Sequence, residues 1–145
     1  CNFAERQKQK IQEDVAEKII AQQLEKHKQN LEKGDGTIEG QMKITFDAIN
    51  KQCPVMVDEI TRLDSCTYEA DTKKTQYFYT ITDLSTVDLK TFKSQMEDIL
   101  KENVKTNKDV AVFRMYKTTI VYHYADSKGK EITTVTITPD DYKES

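Results

Sequence analysis

The spacing of apolar residues alternates between two periods along the chain, and this alternation predicts the fold class. A first stretch has an apolar residue at every third or fourth position: Ile38, Met42, Phe46 and Ile49. This spacing predicts a helix that ends before Pro54, because the residue preceding a proline avoids helical geometry. Thr- and Tyr-rich segments at 60–69 and 75–82 then alternate in polarity around a polar turn, which indicates a β-hairpin.

The same order of elements then repeats. Ser85 followed by Asp88 resembles a capping box, and apolar residues follow at helical spacing: Leu89, Phe92, Met96, Ile99, Leu100 and Val104. Segments 120–124 and 132–138 around a turn containing Gly129 indicate a second hairpin. We therefore predict an α+β protein with an αββαββ domain, in which two hairpins form a four-stranded antiparallel sheet packed by helices on one face.

The region before this domain is predicted to be a helix of a different kind. Residues 5–33 contain neither Gly nor Pro, and their apolar residues form one narrow stripe: Ile11, Val15, Ile19, Ile20, Leu24 and Leu31. Such a stripe can dock on the chain's own domain, pair as a short coiled coil, or pack against a partner's helix. Because the glycines at 34–36 interrupt the helix, we divide the chain into a helical tether, residues 1–36, and an α+β domain, residues 37–145.

The charge balance argues against nucleic acid as a partner. The chain carries 22 Lys and Arg against 25 Asp and Glu, for a net charge of −3, and no basic cluster stands out. Neutralising phosphates needs a clustered basic face. No apolar run in the sequence approaches the roughly 20 residues that span a bilayer, so any membrane attachment must come from another source.

Cys1 suggests such a source. A chain that begins with Cys and continues with a polar stretch resembles the mature form of bacterial lipoproteins. The resemblance implies a lipid on Cys1, and Asn2 fits sorting to a periplasm-facing outer membrane. Residues 49–65, INKQCPVMVDEITRLDS, also resemble a pattern of exported bacterial proteins. These resemblances imply a location in the bacterial cell envelope; the alternative is that residue 1 is not the mature terminus.

The other two cysteines leave two possibilities open. If Cys1 carries lipid, Cys53 and Cys66 remain as an even pair, which readily forms a disulfide in an oxidising compartment. The bond would close a loop of about 14 residues and stabilise the fold by roughly 3 kcal/mol. Alternatively, both pack as small apolar thiols.

Catalytic and metal chemistry find little support in the sequence. Two histidines are present, and neither has the neighbouring ligands that a metal site needs. His123 lies between Tyr122 and Tyr124 in a predicted strand, so it should face away from both, beside Val121 and Ala125. Motifs for nucleophilic catalysis or phosphate binding are absent. We predict no enzyme activity and no cofactor; the alternative is a small-ligand or hydrolytic domain with a cleft near His123.

Tyrosines supply the remaining functional signal. Four tyrosines of the predicted hairpins are the candidate binding residues: Tyr77, Tyr79, Tyr122 and Tyr124. On an exposed sheet face such rings suit protein recognition, whereas on the covered face they would form cross-strand core pairs. The favoured hypothesis is a non-enzymatic, envelope-anchored domain that binds another envelope protein through its sheet face or edge strand. An inhibitor or immunity-type protein is one form of it.

Overall fold

Between residues 38 and 143 the chain forms a five-stranded sheet with helices packed against it. The computed structural model describes residues 7, 11, 16–22 and 38–143. In chain order the elements are α1 (Ile38–Gln52), β1 (Val55–Met56), β2 (Thr61–Glu69), β3 (Lys74–Ile81), α2 (Leu89–Thr106), a 3-10 turn (Lys108–Val110), α3 (Ala111–Met115), β4 (Thr119–Asp126), β5 (Glu131–Ile137) and α4 (Pro139–Tyr142). Both predicted hairpins and both predicted helices of the domain are therefore confirmed.

Helix α2 begins one turn later than the capping box predicts. The cap is Asp88 itself, whose side chain accepts the Lys90 N–H at 3.0 Å, so Ser85 lies outside the helix. A carboxylate at this position satisfies an amide that has no partner within the helix. Leu89, the first residue of the predicted apolar stripe, is exposed, and Ile99 is half-buried. The other four residues of the stripe are buried, as their spacing predicts: Phe92, Met96, Leu100 and Val104.

The sheet is mixed, which corrects the prediction of four antiparallel strands. The strand order is β1-β2-β3-β4-β5, and β3 pairs with β4 in parallel, while every other neighbouring pair is antiparallel. The reason is the connection between the hairpins. Helix α2 and the segments around it carry the chain back along the sheet, so β4 starts from the same end as β3 and runs in the same direction. The two-residue strand β1 was not predicted.

The core lies between the helices and one face of the sheet. Leu63, Ile81, Ile120 and Val135 point from the strands into this layer and are almost fully buried. Ile49 of α1 and three residues of α2 cover them, so the sheet has one helix-covered face: Ile49, Phe92, Met96 and Leu100. Burial of this apolar surface provides the main stabilisation of the fold.

The described part of the N-terminal region packs on this same domain. Residues 16–22 are helical, as are residues 7 and 11, and three of these side chains join the core: Ile11, Ala16 and Ile20. The carboxylate of Glu17 accepts hydrogen bonds from Asn103 at 2.6 Å and from Asn107 at 2.9 Å. Of the three predicted arrangements for this helix, the described residues therefore adopt docking on the chain's own domain.

Several predictions fall on other residues. Cys1, the apolar residues Leu24 and Leu31, and the proposed boundary at residue 36 lie outside the described residues. Helix pairing through residues 5–33 and the division into residues 1–36 and 37–145 thus stay predictions. None of the helices in the described residues combines the length and apolar character needed to span a bilayer.

Candidate protein-binding face of the sheet

The four candidate tyrosines lie on the helix-covered face. Tyr77, Tyr79, Tyr122 and Tyr124 are between 2% and 7% exposed. Their rings stack across the parallel strands, with 5.4 Å between the centroids of Tyr77 and Tyr122 and 5.2 Å between those of Tyr79 and Tyr124. Helices contact them from above, since the ring of Phe92 meets Tyr124 edge-on at 5.4 Å. These tyrosines are core residues, so a partner cannot contact them on a sheet surface.

The opposite side of the sheet carries a different set of side chains. We call this side the open face, because the ring contacts that α1 and α2 make with the sheet, as far as the structure describes them, all involve the other side. Alternation along the strands places ten residues on it: Arg62, Asp64, Gln76, Phe78, Thr80, Val121, His123, Ala125, Thr134 and Thr136. Cross-strand register joins them into one surface, since Phe78, His123 and Thr134 lie side by side on three strands.

His123 is held in one orientation at the centre of the open face. Its ring stacks on Phe78 with centroids 4.6 Å apart and an interplanar angle of 4°. Nε2 lies 2.8 Å from Oε1 of Gln76, and Nδ1 lies 3.3 Å from the Thr134 hydroxyl, which also hydrogen-bonds Glu131. Contacts on the ring face and on both nitrogens leave this side chain little rotational freedom. The sequence-based position of His123, opposite Tyr122 and Tyr124, is confirmed.

The environment of His123 favours its neutral form. Partial burial lowers the pKa of the imidazole, although the nearby Glu131 carboxylate acts in the opposite sense. Because Oε1 of Gln76 can only accept, Nε2 carries the proton in the neutral ring. The Thr134 hydroxyl has one proton, which it donates to the Glu131 carboxylate, so it must turn away from Glu131 before Nδ1 can accept from it.

A second fixed cluster lies nearer the β1 edge. Nε of Arg62 pairs with the Asp64 carboxylate at 2.6 Å, and Nη2 of the same side chain donates to the Thr80 hydroxyl at 3.3 Å. Thr80 in turn donates to the other oxygen of Asp64 at 2.5 Å. The Arg62 and Asp64 side chains are 41% and 33% exposed, so solvent or a partner can reach them. Three mutual contacts hold a partly exposed charge pair in place.

The predicted disulfide between Cys53 and Cys66 is not formed in the structure. Both residues are thiols, and each sulfur hydrogen-bonds a different carbonyl of α1: Cys53 that of Ile49 at 3.3 Å, and Cys66 that of Phe46 at 3.7 Å. Cys66 points from β2 under α1, whereas Cys53 follows the end of that helix. The alternative expectation, two packed thiols, describes this arrangement.

Two cavities that are lined by described residues lie away from His123. One cavity of about 460 Å³ lies between α1 and β2 and includes Phe46, Asn50 and Tyr68 among its lining residues. Another, of about 430 Å³, lies beside Arg114 and Tyr142. Neither includes His123, which faces away from the helices. Within residues 7, 11, 16–22 and 38–143, no group of three His, Cys, Asp or Glu side chains is placed to hold a metal ion.

Sequence reasoning found only part of the open face. It placed His123 on the side of β4 away from its neighbouring tyrosines, but it did not single out Arg62 or Thr80. Strand alternation contained the signal for each residue separately. The pairing of β3 with β4, which brings these residues onto one surface, could not be read from alternation alone.

Comparison with known proteins adds a family and a set of related folds. Residues 38–134 match the family described as Domain of unknown function (DUF8479). No curated protein matches the chain in sequence. Three solved structures share the fold, and at sequence identities of 7–10% the likeness concerns the fold alone.

Each of these structures is matched over most of its length. The Pseudomonas aeruginosa protein PA3611, described as a secreted protein, is 10% identical with a TM-score of 0.57, over 74% of this chain and 99% of that one. The pilotin EpsS of the Vibrio vulnificus type 2 secretion system is 7% identical with a TM-score of 0.58, over 74% and 93%. The type II secretion system pilotin AspS of Vibrio cholerae is 8% identical with a TM-score of 0.55, over 71% and 90%.

Proposed function

Because the chain belongs to the DUF8479 family, whose description states no function, we propose from the open face that it is a non-enzymatic domain that binds another protein of the bacterial cell envelope. The observation that carries the proposal is the fixed surface around Phe78 and His123, which no helix contact described above covers. It replaces the tyrosines as the binding surface, since those rings are buried.

The chemistry of the open face suits protein recognition. Phe78 and His123 offer stacked rings that are already ordered, and Arg62 offers a charged group that is already oriented. Binding through such side chains costs less conformational entropy than binding through mobile ones. Aromatic residues and Arg are also the side chains on which interface energy concentrates. A partner with an apolar patch beside a carboxylate or a carbonyl-rich loop complements this arrangement.

The shared fold supports a location and a first partner to test. The similar structures include a protein described as secreted and two pilotins of type 2 secretion systems. On this support the proposal takes the envelope as the location and a secretion-system subunit as the first candidate partner. The proposal retains the lipid on Cys1 that the lipoprotein resemblance implies, which would hold the domain at a periplasm-facing membrane. An inhibitor or immunity-type role is a narrower form of the same proposal.

Site-specific photo-crosslinking tests this function. A benzophenone side chain in place of Phe78 samples the open face, and the same group in place of Ser94 samples the exposed side of α2 as a matched control. In the envelope fraction of the native host we expect a defined protein adduct from position 78 and none from position 94. Adding Arg62→Glu to the position 78 variant should abolish the adduct. Equal labelling at both positions, or none at position 78 in a folded variant, contradicts the proposal.

A further inference from the structure

The two edges of the sheet differ in how their backbone groups are satisfied. On one side β1 pairs with β2, and further along the side-chain amide of Asn50 bonds both the N–H and the C=O of Cys66 at 2.8 Å. Asn50 thus takes the place of a neighbouring strand there. On the other side β5 is the last strand, and β4 is its one strand partner among the described residues. An uncovered edge is a template for pairing with another chain.

The direction of the β4 backbone groups follows from two hydrogen bonds. The Thr119 N–H donates to the carbonyl of Lys73, which immediately precedes β3, at 2.9 Å. The Asp126 N–H donates towards β5, to the carbonyl of Lys130, at 2.8 Å. Because backbone groups of successive residues in a strand point to opposite sides, odd-numbered residues of β4 face β3 and even-numbered residues face β5.

The same alternation identifies the outward groups of β5. Tyr122 lies opposite Val135 and faces β5, so Val135 exchanges its hydrogen bonds with β4. Thr134 and Thr136, on either side of Val135, therefore direct their N–H and C=O groups away from the sheet. The N–H of Thr138 points the same way, and the Asp141 carboxylate accepts it at 2.8 Å.

The features that usually protect an edge strand lie only at the ends of β5, at Glu131 and Pro139. Natural edge strands are commonly protected by a charged residue, a proline or a bulge. Between Ile132 and Thr138 the strand has neither a charge nor a proline, and the bulge lies at its beginning, opposite Ala125. Among the described residues, no backbone hydrogen bond is found for the outward groups of Thr134 and Thr136.

We propose that a second copy of this chain pairs with this edge, with the two β5 strands antiparallel and a two-fold axis at Val135. In this register Thr134 of each copy lies opposite Thr136 of the other, so the outward N–H and C=O groups of both residues are satisfied in both copies. The two sheets join into one, and the open faces of the two copies become continuous. The threonine side chains meet on that face, where Thr–Thr pairs are favourable.

Charge favours a second copy over an arbitrary strand. Lys130 precedes the axis residue by the same number of positions as Asp140 follows it, and both side chains are exposed. An antiparallel copy therefore brings Lys130 of one chain to the end of the strand where Asp140 of the other lies, and this happens twice by symmetry. Within its own chain Asp140 contacts Lys143 at 3.4 Å, an exposed pair that leaves the carboxylate accessible.

Sedimentation equilibrium with charge-swap variants tests the dimer. We expect the wild-type chain to change from monomer to dimer as its concentration is raised from about 1 µM to about 500 µM, because mass action favours the dimer at high concentration. Lys130→Asp and Asp140→Lys each oppose like charges, so each should weaken dimerisation about tenfold. The double variant restores opposite charges with the positions exchanged and should recover the wild-type dissociation constant within about threefold.

The edge itself is tested by Thr136→Pro. Because the Thr136 N–H points outward, proline there removes no hydrogen bond to β4, and thermal unfolding together with circular dichroism checks that the fold persists. We expect this folded variant to be monomeric. A wild-type chain that is monomeric throughout the range overturns the proposal. So does a double variant that is no better than the single ones, or a folded Thr136→Pro variant that still dimerises.

Discussion

Replacing Glu17 by Ala should release the N-terminal segment from the domain. The Glu17 side chain is buried, and its carboxylate accepts from Asn103 at 2.6 Å and from Asn107 at 2.9 Å. A hydrogen bond to a charged group contributes about 1.5–3 kcal/mol, while removing a buried charge also relieves its desolvation. Since Asn103 is itself buried and would lose its acceptor, we expect docking to weaken by about 2–4 kcal/mol.

The neighbouring residue supplies a matched control. Lys18 pairs with Asp109 at 2.8 Å, but its side chain is 53% exposed. Exposed ion pairs contribute about 0–1 kcal/mol, so Lys18→Ala should change little. Hydrogen exchange of the amides at 16–22 measures docking directly, and a loss of about 2–4 kcal/mol lowers their protection roughly 30- to 1000-fold. Urea unfolding of the whole chain shows whether the loss is local or global.

If protection at 16–22 in Glu17→Ala stays within about 0.5 kcal/mol of that in Lys18→Ala, the buried carboxylate does not hold the segment on the domain. Docking would then rest on the other contacts of the segment, which include the apolar side chains of Ile11, Ala16 and Ile20.

Three further substitutions probe contacts around the sheet. Tyr142→Phe removes a hydroxyl that donates to the Thr118 carbonyl at 2.6 Å, and urea unfolding should show a loss of about 1–3 kcal/mol. Burial raises the pKa of Tyr142 to about 12 from 10.0, so this stabilisation is complete below pH 10 and declines as the pH rises towards about 12. Burial lowers the pKa of His123 from the ordinary histidine value of 6.5, so the free energy of unfolding should fall as the pH drops below 6.5. His123→Gln should reduce this pH dependence when urea unfolding is measured at a series of pH values. Asn50→Ala removes both hydrogen bonds to the Cys66 backbone and should cost about 1–3 kcal/mol in thermal unfolding.

For each of these three substitutions, a specific outcome would contradict the expected one. For Tyr142, the control is Tyr116→Phe at a half-buried ring, and equal losses in the two variants would remove the role given to the hydroxyl. For His123, identical pH dependence in the wild type and the variant would contradict the neutral assignment. For Asn50, the control is Asn50→Asp, which keeps the acceptor for the Cys66 N–H and should lose less than Ala; a larger loss would show that charge, not pairing, dominates there.

The local pattern of apolar and polar residues was sufficient to predict the helices and strands and to assign strand residues to one side of the sheet or the other. The period of apolar residues predicted α1, α2 and both hairpins, because burial of one face selects the same residues whatever the neighbouring element is. The same logic placed His123 opposite Tyr122 and Tyr124. It could not tell which side the helices would cover, so the rings of Tyr77 and Tyr79 were candidates for a binding surface until their burial was known.

Contacts between distant parts of the chain decided the rest. The parallel pairing of β3 and β4, the contact of Glu17 with Asn103, and the bonds from Asn50 to Cys66 join residues that have no local relation in the sequence. Each depends on the path of the chain after the elements have formed, since alternation fixes side-chain directions within a strand but not the order of strands in a sheet. The sequence by itself therefore determined the elements and the direction of their side chains. For the described residues, the tertiary structure alone decided which sheet face α1 and α2 cover and which strand lies at the edge, because both depend on the path of the chain between the elements.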